Sequence, residues 1–253
     1  MRLTQRELWM KLAKRQKQAV RRMAGRMRST VSEASPPWLR RTMSPIAEHA
    51  ELQLVDHGMF REVYLNRHRL SDEAWRAAQP APRHVRMLAR EGIKTILNLR
   101  DERDCGSYRL ELAACEKAGI KLVNFGVKSR ECPPAEKIHG AKAVFQQLEY
   151  PMLMHCKSGA DRVGLMSVLY MHFRKGLPIE EALQQLHWRF GHFKQADTGV
   201  LDYLFESYLA ANSDKPIEFL DWVNTAYDPV ELKREFKAKG FANMVVNRLL
   251  RRE

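Results

Sequence analysis

The run His155-Cys156-Lys157-Ser158-Gly159-Ala160-Asp161-Arg162 sets a thiol, a glycine and an arginine at offsets suited to attack on a phosphate ester. That chemistry needs a nucleophile ionised near neutral pH and a grip that holds a dianionic phosphate in line with it. A loop joining a strand to a helix supplies both, because its backbone N–H groups point inward and the positive end of the helix faces the anion. Such a setting lowers a thiol pKa to roughly 3.5–7.5. On this reading Cys156 attacks, while Arg162 holds two phosphate oxygens with a planar fork that lysine lacks. Gly159 permits the turn, the amides of Lys157, Ser158 and Ala160 help line the cradle, and His155 orients the loop by hydrogen bonding. Lys157 either adds positive charge at the mouth or is simply solvated. A buried structural cysteine beside a surface arginine is the plain alternative, and it leaves the glycine, the histidine and their context as coincidence.

Expelling an alkoxide or phenoxide also needs a proton donor on the leaving-group side. Asp161, inside the loop and directly before Arg162, is the first candidate. Glu131 lies in Lys128-Ser129-Arg130-Glu131-Cys132-Pro133-Pro134. Asp101 and Asp104 follow the run Ile93–Leu99 and belong at the carboxyl edge of a sheet, the edge that also carries the phosphate loop. Each is otherwise a solvated loop carboxylate. His187 and His192 show no partner in the sequence and read as satisfied structural histidines.

These residues need strands and helices in a fixed order to hold them. Leu52–Val55 and Phe60–Tyr64 read as short strands, Pro82–Glu91 as a helix stopped by Gly92, and Ile93–Leu99 as a β-branched strand. A helix over about 106–118 ends at Gly119, and Ile120–Phe125 is again a strand. Pro134–Glu149 is helical, and Met152–His155 is a short apolar strand running straight into the loop. Val163–Arg174, Pro178–Phe190 and Thr198–Ala211 follow as helices. The alternation predicts an α/β fold, a parallel-rich central sheet covered by helices, with helical N- and C-terminal extensions. The expected division is 1–45 as a basic helix and linker, 46–212 as the catalytic domain, and 213–253 as a helical basic extension.

His155-Cys156, five residues and Arg162 resemble the signature loop of the cysteine-dependent protein tyrosine and dual-specificity phosphatases. Arg76-Ala77-Ala78-Gln79-Pro80 and Leu97-Asn98-Leu99-Arg100 are similar to two further landmarks of the bacterial and fungal dual-specificity-like branch, so the resemblance spans about residues 50–210. It implies a compact α/β phosphatase domain, a phosphocysteine at Cys156 and transition-state stabilisation by Arg162, with no metal and no cofactor. Glu131 falls where many such enzymes place an acid loop, although they use aspartate. The Asp161-Arg162 pair resembles phosphoinositide-directed members, in which the loop aspartate is taken as the acid. Where the family usually has serine or threonine after the arginine, this chain has Val163, which implies slow hydrolysis of the phosphocysteine. Three readings follow: a phosphatase of phosphotyrosine and phosphoserine/threonine proteins, a phosphatase of membrane lipid or inositol phosphates, or a phosphate-binding adaptor with stalled turnover.

Charge is concentrated at the ends. Of a net +13, residues 1–30 hold ten Lys/Arg against one acid and residues 228–253 seven against four, so the body is nearly neutral. That distribution speaks against nucleic acid as a partner. In residues 1–28, Trp9, Leu12, Val20, Met23 and Met27 fall on one helical flank, broadly opposite Lys11, Lys14, Lys17, Arg21 and Arg22. This suits peripheral contact with an anionic membrane, a partner-binding arm being the alternative, and the segment also resembles an Arg-rich transit peptide. The apolar and basic residues of 236–251 make either a second surface anchor or a helix packed on the domain. Four scattered cysteines (Cys105, Cys115, Cys132, Cys156), lacking metal-ligand spacing, indicate a reducing, cytoplasmic setting. A protective disulfide from Cys105 or Cys132 to Cys156 is not demanded by the spacing.

Overall fold

Five short strands carry the site, in the spatial order β1-β2-β5-β3-β4. They are β1 (His68–Arg69), β2 (Ala74–Ala78), β3 (Thr95–Asn98), β4 (Lys121–Asn124) and β5 (Met152–Cys156). The computed structural model describes residues 65–250, with side chains as far as Lys239, and the isolated positions Gln18 and Arg22. The expected helix over 1–28, the linker to Pro45 and the strands Leu52–Val55 and Phe60–Tyr64 lie outside the described residues, as do the side chains of the last apolar–basic stretch.

Strand β5 is central and parallel to both neighbours. Ala74 to Ala78 of β2 stand beside Met152 to Cys156 on one side, and Thr95 to Asn98 of β3 stand beside Met152 to His155 on the other. Strand β1 runs antiparallel against β2. All five residues of β5 are buried, which is why it reads as a continuous apolar run and not as an alternation.

The described chain forms two units. The first comprises residues 80–94 and 102–122, holding α1 (Pro82–Arg90) and α2 (Gly106–Ala118). Helix α1 opens on Pro82, a residue suited to a first turn, and the His84 ring accepts the Ala81 N–H at 3.1 Å. Helix α2 stops at Gly119, which adopts the left-handed conformation and donates back to Cys115.

The second unit comprises residues 66–79, 95–101 and 123 onward. It holds α3 (Ala135–Gln147), α4 (Asp161–Phe173), the short α5 (Ile179–Ala182), α6 (Val200–Asp214), α7 (Phe219–Thr225) and α8 (Pro229–Leu250). Its core joins Met152, Met154 and Cys156 of β5 to Val163, Met166 and Tyr170 of α4, Phe145 of α3 and Phe205 of α6. Phe219 and Trp222 of α7 belong to the same cluster, as does Leu232 of α8.

Two parts differ from the sequence reading. Residues 178–190 do not form one helix. They break into α5, a 3-10 turn over Leu183–Gln185 and another over Trp188–Phe190. Strand β2 was not expected, because Ala-Trp-Arg-Ala-Ala carries neither β-branched residues nor period-two alternation. Pairing with antiparallel β1 on one side and parallel β5 on the other, with four of its five residues buried, overrides its weak propensity.

Phe219 is 1% exposed and meets the rings of His172, Phe173, Phe205, Tyr208 and Trp222. Phe219→Ala is expected to cost roughly 3–5 kcal/mol. Urea denaturation should show this as a lower midpoint with an unchanged slope.

Candidate active site

Cys156 is the last residue of β5, and Asp161 opens α4 five residues later, so the interval 157–160 is the loop. Gly159 sits at φ +77°, and a Cβ there would come within 2.7 Å of the Ala78 backbone nitrogen and 2.8 Å of the Ala77 carbonyl carbon. Conformation and space both demand glycine. The loop carbonyls are held from behind. Asn66 donates its side-chain amide to Ser158 O at 3.0 Å and to Phe190 O at 2.9 Å. Arg76, fully buried on β2, donates to Gly159 O at 3.0 Å and Ala160 O at 3.1 Å. A trans peptide points its N–H opposite to its carbonyl. The N–H groups of Gly159, Ala160 and Asp161 therefore aim away from Asn66 and Arg76, toward the open side of the loop, as an anion cradle requires.

Arg76 is fixed in turn by Gln185, whose carbonyl and side-chain oxygen accept from it at 2.7 and 3.1 Å, and by the Phe190 ring, 3.9 Å from its guanidinium carbon. Burial lowers its pKa to about 10, against the opposing charges of Cys156 and Asp161. The Gln185 segment packs closely on α4 at Gly164, where a Cβ would stand 3.3 Å from Gln185 O and 2.6 Å from Leu186 Cδ2. His155 is buried, with Nδ1 3.3 Å from Cys156 O. Lys157, Asp161 and Arg162 are half-buried, Ser158 is exposed, and Ala160 is buried.

The candidate acids occupy three environments. Asp161, 24% exposed, lies 2.8 Å from His192 Nδ1, and His192 Nε2 lies 2.7 Å from Asp202 Oδ2. Burial opposes charge on this imidazole, but the hydrogen bonds and charges of Asp161 and Asp202 outweigh it and lift the pKa to about 9. Glu131 is paired with Lys128 at 2.7 Å and Lys233 at 3.3 Å, which hold its carboxyl below the usual range. Asp101, in the left-handed conformation at φ +63°, and Glu131 line a cavity of about 580 Å³ together with Arg100, Lys128, Lys137 and Lys233. Asp104 pairs with Arg109 and is almost fully exposed.

Val163 is fully buried in the core, so no hydroxyl stands directly after Arg162. All four cysteines are free, with burial pushing Cys115 up to about 12 and Cys132 up to about 11. Among the described residues, no group of three or more His, Cys, Asp or Glu is placed to hold a metal ion, and no helix is long and apolar enough to cross a membrane. Trp188 and Phe193 stand 69% and 58% exposed on the segment that carries His192.

The sequence reading missed Asn66, Gln185 and Asp202, and it knew Arg76 only as part of a landmark. An arginine inside an alanine-rich apolar segment was the available signal, since a buried cation must have dedicated acceptors.

A family model described as "DSP-PTPase phosphatase fused to NAD+ Kinase" matches residues 47–199. The dual specificity protein phosphatase TpbA of Pseudomonas aeruginosa strain UCBPP-PA14 is 28% identical over 127 residues, which are 48% of this chain and 53% of that protein. TpbA of strain PAO1 is also 28% identical, over 133 residues, 50% of this chain and 56% of that one. The chain thus spans about half the length of the curated relatives it matches. Among solved structures, P. aeruginosa TpbA has 24% identity and a TM-score of 0.46, covering 64% of this chain and 90% of that one. Its complex with phosphotyrosine has 25% identity and a TM-score of 0.43, covering 57% and 91%.

Two outcomes follow from the geometry. Gly159→Ala is expected to weaken binding of tungstate, a phosphate mimic, by at least about tenfold in calorimetric titration. The folded state binds the His192 proton more tightly than a free imidazole of pKa 6.5 does, with the value lifted to about 9. Its contribution to stability is therefore complete below about pH 6.5 and lost as pH rises through about 9. The melting temperature should fall across that window by roughly 5 °C, and His192→Asn should lack this part of the fall.

Proposed function

Since the chain belongs to the DSP-PTPase phosphatases of the type fused to NAD+ kinase, we propose that it hydrolyses phosphomonoesters through a phosphocysteine at Cys156. The observation that carries this reading is the loop itself. Cys156 ends the central strand, three backbone N–H groups face the open side, and Arg162 sits in the first turn of the following helix. The thiolate forms an S–P bond as the ester P–O bond breaks. Arg162 and the loop amides hold the equatorial oxygens, and water then cleaves the S–P bond. Asp161 protonates the leaving group. Glu131 is the weaker choice because two lysines favour its ionised form.

Phosphorylated protein is the preferred substrate. The relative TpbA is described as a dual specificity protein phosphatase, and exposed Trp188 and Phe193 supply an apolar rim for the group that carries the phosphate. The free, scattered cysteines favour a reducing, cytoplasmic setting. The second reading, a lipid phosphate at an anionic membrane, draws on the separation of apolar and basic residues along 1–28. Burial of Val163, with no hydroxyl to help the thiolate leave, supports slow second-step turnover.

The test is metal-free phosphate release from phosphotyrosine and phosphoserine peptides and from anionic lipid phosphates in vesicles. Cys156→Ser is expected to lower turnover by about 10³-fold or more, and Arg162→Lys by about 10²-fold. Turnover unchanged in Cys156→Ser would end the reading. A stoichiometric burst without steady release, relieved by Val163→Thr, would make the protein a stalled phosphate binder.

A further inference from the structure

Asp161, His192 and Asp202 form a continuous hydrogen-bonded row, and only Asp161 has appreciable exposure: 24%, against 1% and 5% for the other side chains. Asp161 is the first residue of α4, directly before Arg162; His192 follows the 3-10 turn Trp188–Phe190; Asp202 is in the first turn of α6. Three elements distant in sequence thus converge on one imidazole.

Proton counting constrains what such a row can be. A neutral imidazole has one N–H and one acceptor nitrogen. With a carboxylate on each nitrogen, a neutral ring would set a lone pair against an ionised oxygen on one side. The row therefore holds two protons in its two hydrogen bonds. In one arrangement both are on His192, between two carboxylates. In the other, the proton facing Asp161 has crossed to it, leaving a neutral aspartic acid, a neutral imidazole and an ionised Asp202. The two arrangements have the same net charge and differ only by a proton shift along a 2.8 Å contact.

We infer that His192 and Asp202 are positioning and proton-storing residues that arm Asp161 as the general acid, an inference that rests on the phosphatase reading above. A phosphate dianion arriving in the loop disfavours a neighbouring carboxylate charge and draws the stored proton onto Asp161. As the Cys156 thiolate forms the S–P bond and the ester P–O bond breaks, that proton passes to the leaving oxygen. The row is then one proton short, with Asp161 ionised and the ring neutral. In the second step, the water attacking phosphorus returns a proton to Asp161 and so to His192 Nδ1, the S–P bond breaks, and Cys156 leaves as thiolate. Protons and charges balance over the cycle. Asp202 has no contact with the reacting atoms. It acts by keeping Nε2 protonated, so that Nδ1 is the site that gives and takes the proton. The charged groups around the ring are Asp161 and Asp202, and Arg76 acts on the row through its field at Asp161.

The experiment compares kcat/KM for 4-nitrophenyl phosphate, whose leaving group needs little protonation, with that for phenyl phosphate, whose leaving group needs it. In both cases kcat/KM ends at departure of the leaving group. His192→Asn retains an amide donor toward Asp161 but stores no proton. It is expected to lose about 10²-fold on phenyl phosphate and less than about threefold on 4-nitrophenyl phosphate. Asp202→Asn should show the same selective loss at smaller size, and it supplies the comparison if His192→Asn fails to fold by thermal melting. Asp161→Asn should show the same selective loss. An equal loss on both substrates, or no loss on either, would overturn the inference while leaving the Cys156 mechanism standing. A wild type with no Cys156-dependent turnover would remove both.

Discussion

A buried guanidinium organises this site. Arg76 has no exposed surface, and a cation in that position persists only with acceptors fixed around it. It finds them in the carbonyls of Gly159, Ala160 and Gln185 and the side-chain oxygen of Gln185, with the Phe190 ring over its face. Its Nε has no oxygen partner among the described residues, so the arrangement meets most of the cation's demand and not all of it. The consequence for the loop is directional. Carbonyls drawn toward Arg76 turn the adjoining N–H groups outward, and an anion site is made by satisfying a cation behind it.

The coupling also runs through charge. Burial lowers the Arg76 pKa to about 10, while negative charge on Cys156 and Asp161 works in the opposite direction. The loop's anions thus stabilise the brace that shapes the loop. His192 repeats the pattern on the far side of Asp161, where burial opposes its charge and two carboxylates restore it. Arg76, Asp161, His192 and Asp202 alternate in sign through the interior, so a change at any one of them alters the field at its neighbours.

The candidate nucleophile, the glycine and the arginine could be read together because the loop that carries them is local. Eight consecutive residues suffice to specify a strand end, a turn and a helix start. The helices 82–90, 106–118, 135–147 and 161–173 were readable for the same reason, through caps, terminal glycines and apolar spacing. What remained hidden was long-range. Asn66 reaches Ser158 across 92 positions, Arg76 reaches Gly159 across 83, and His192 reaches Asp161 across 31. No periodicity encodes such pairings. His192 read as a structural histidine because its partners are visible only once α4, α6 and the intervening turns are folded together. The surroundings of the candidate acids were hidden for a similar reason, since Glu131 and its partner Lys233 are 102 positions apart but only 3.3 Å apart in space.

The misread helix at 178–190 explains how the site is built. Apolar spacing there fits a helix, and a helix would have used the carbonyls of that segment for its own i+4 bonds. The chain instead stops after one turn at Ala182 and continues in short 3-10 turns, which leaves carbonyls free to serve elsewhere. Gln185 O goes to Arg76, and Phe190 O goes to the same Asn66 amide that holds Ser158. The irregular segment also lets Phe190 cover Arg76 and brings His192 to Asp161 two residues after the second turn ends. Gly164 is the counterpart of this break on α4, since a Cβ there would stand 3.3 Å from the Gln185 carbonyl oxygen that Arg76 uses. Local helical preference was given up over these dozen residues because their backbone groups are worth more as acceptors for the buried arginine and asparagine than as links in a helix.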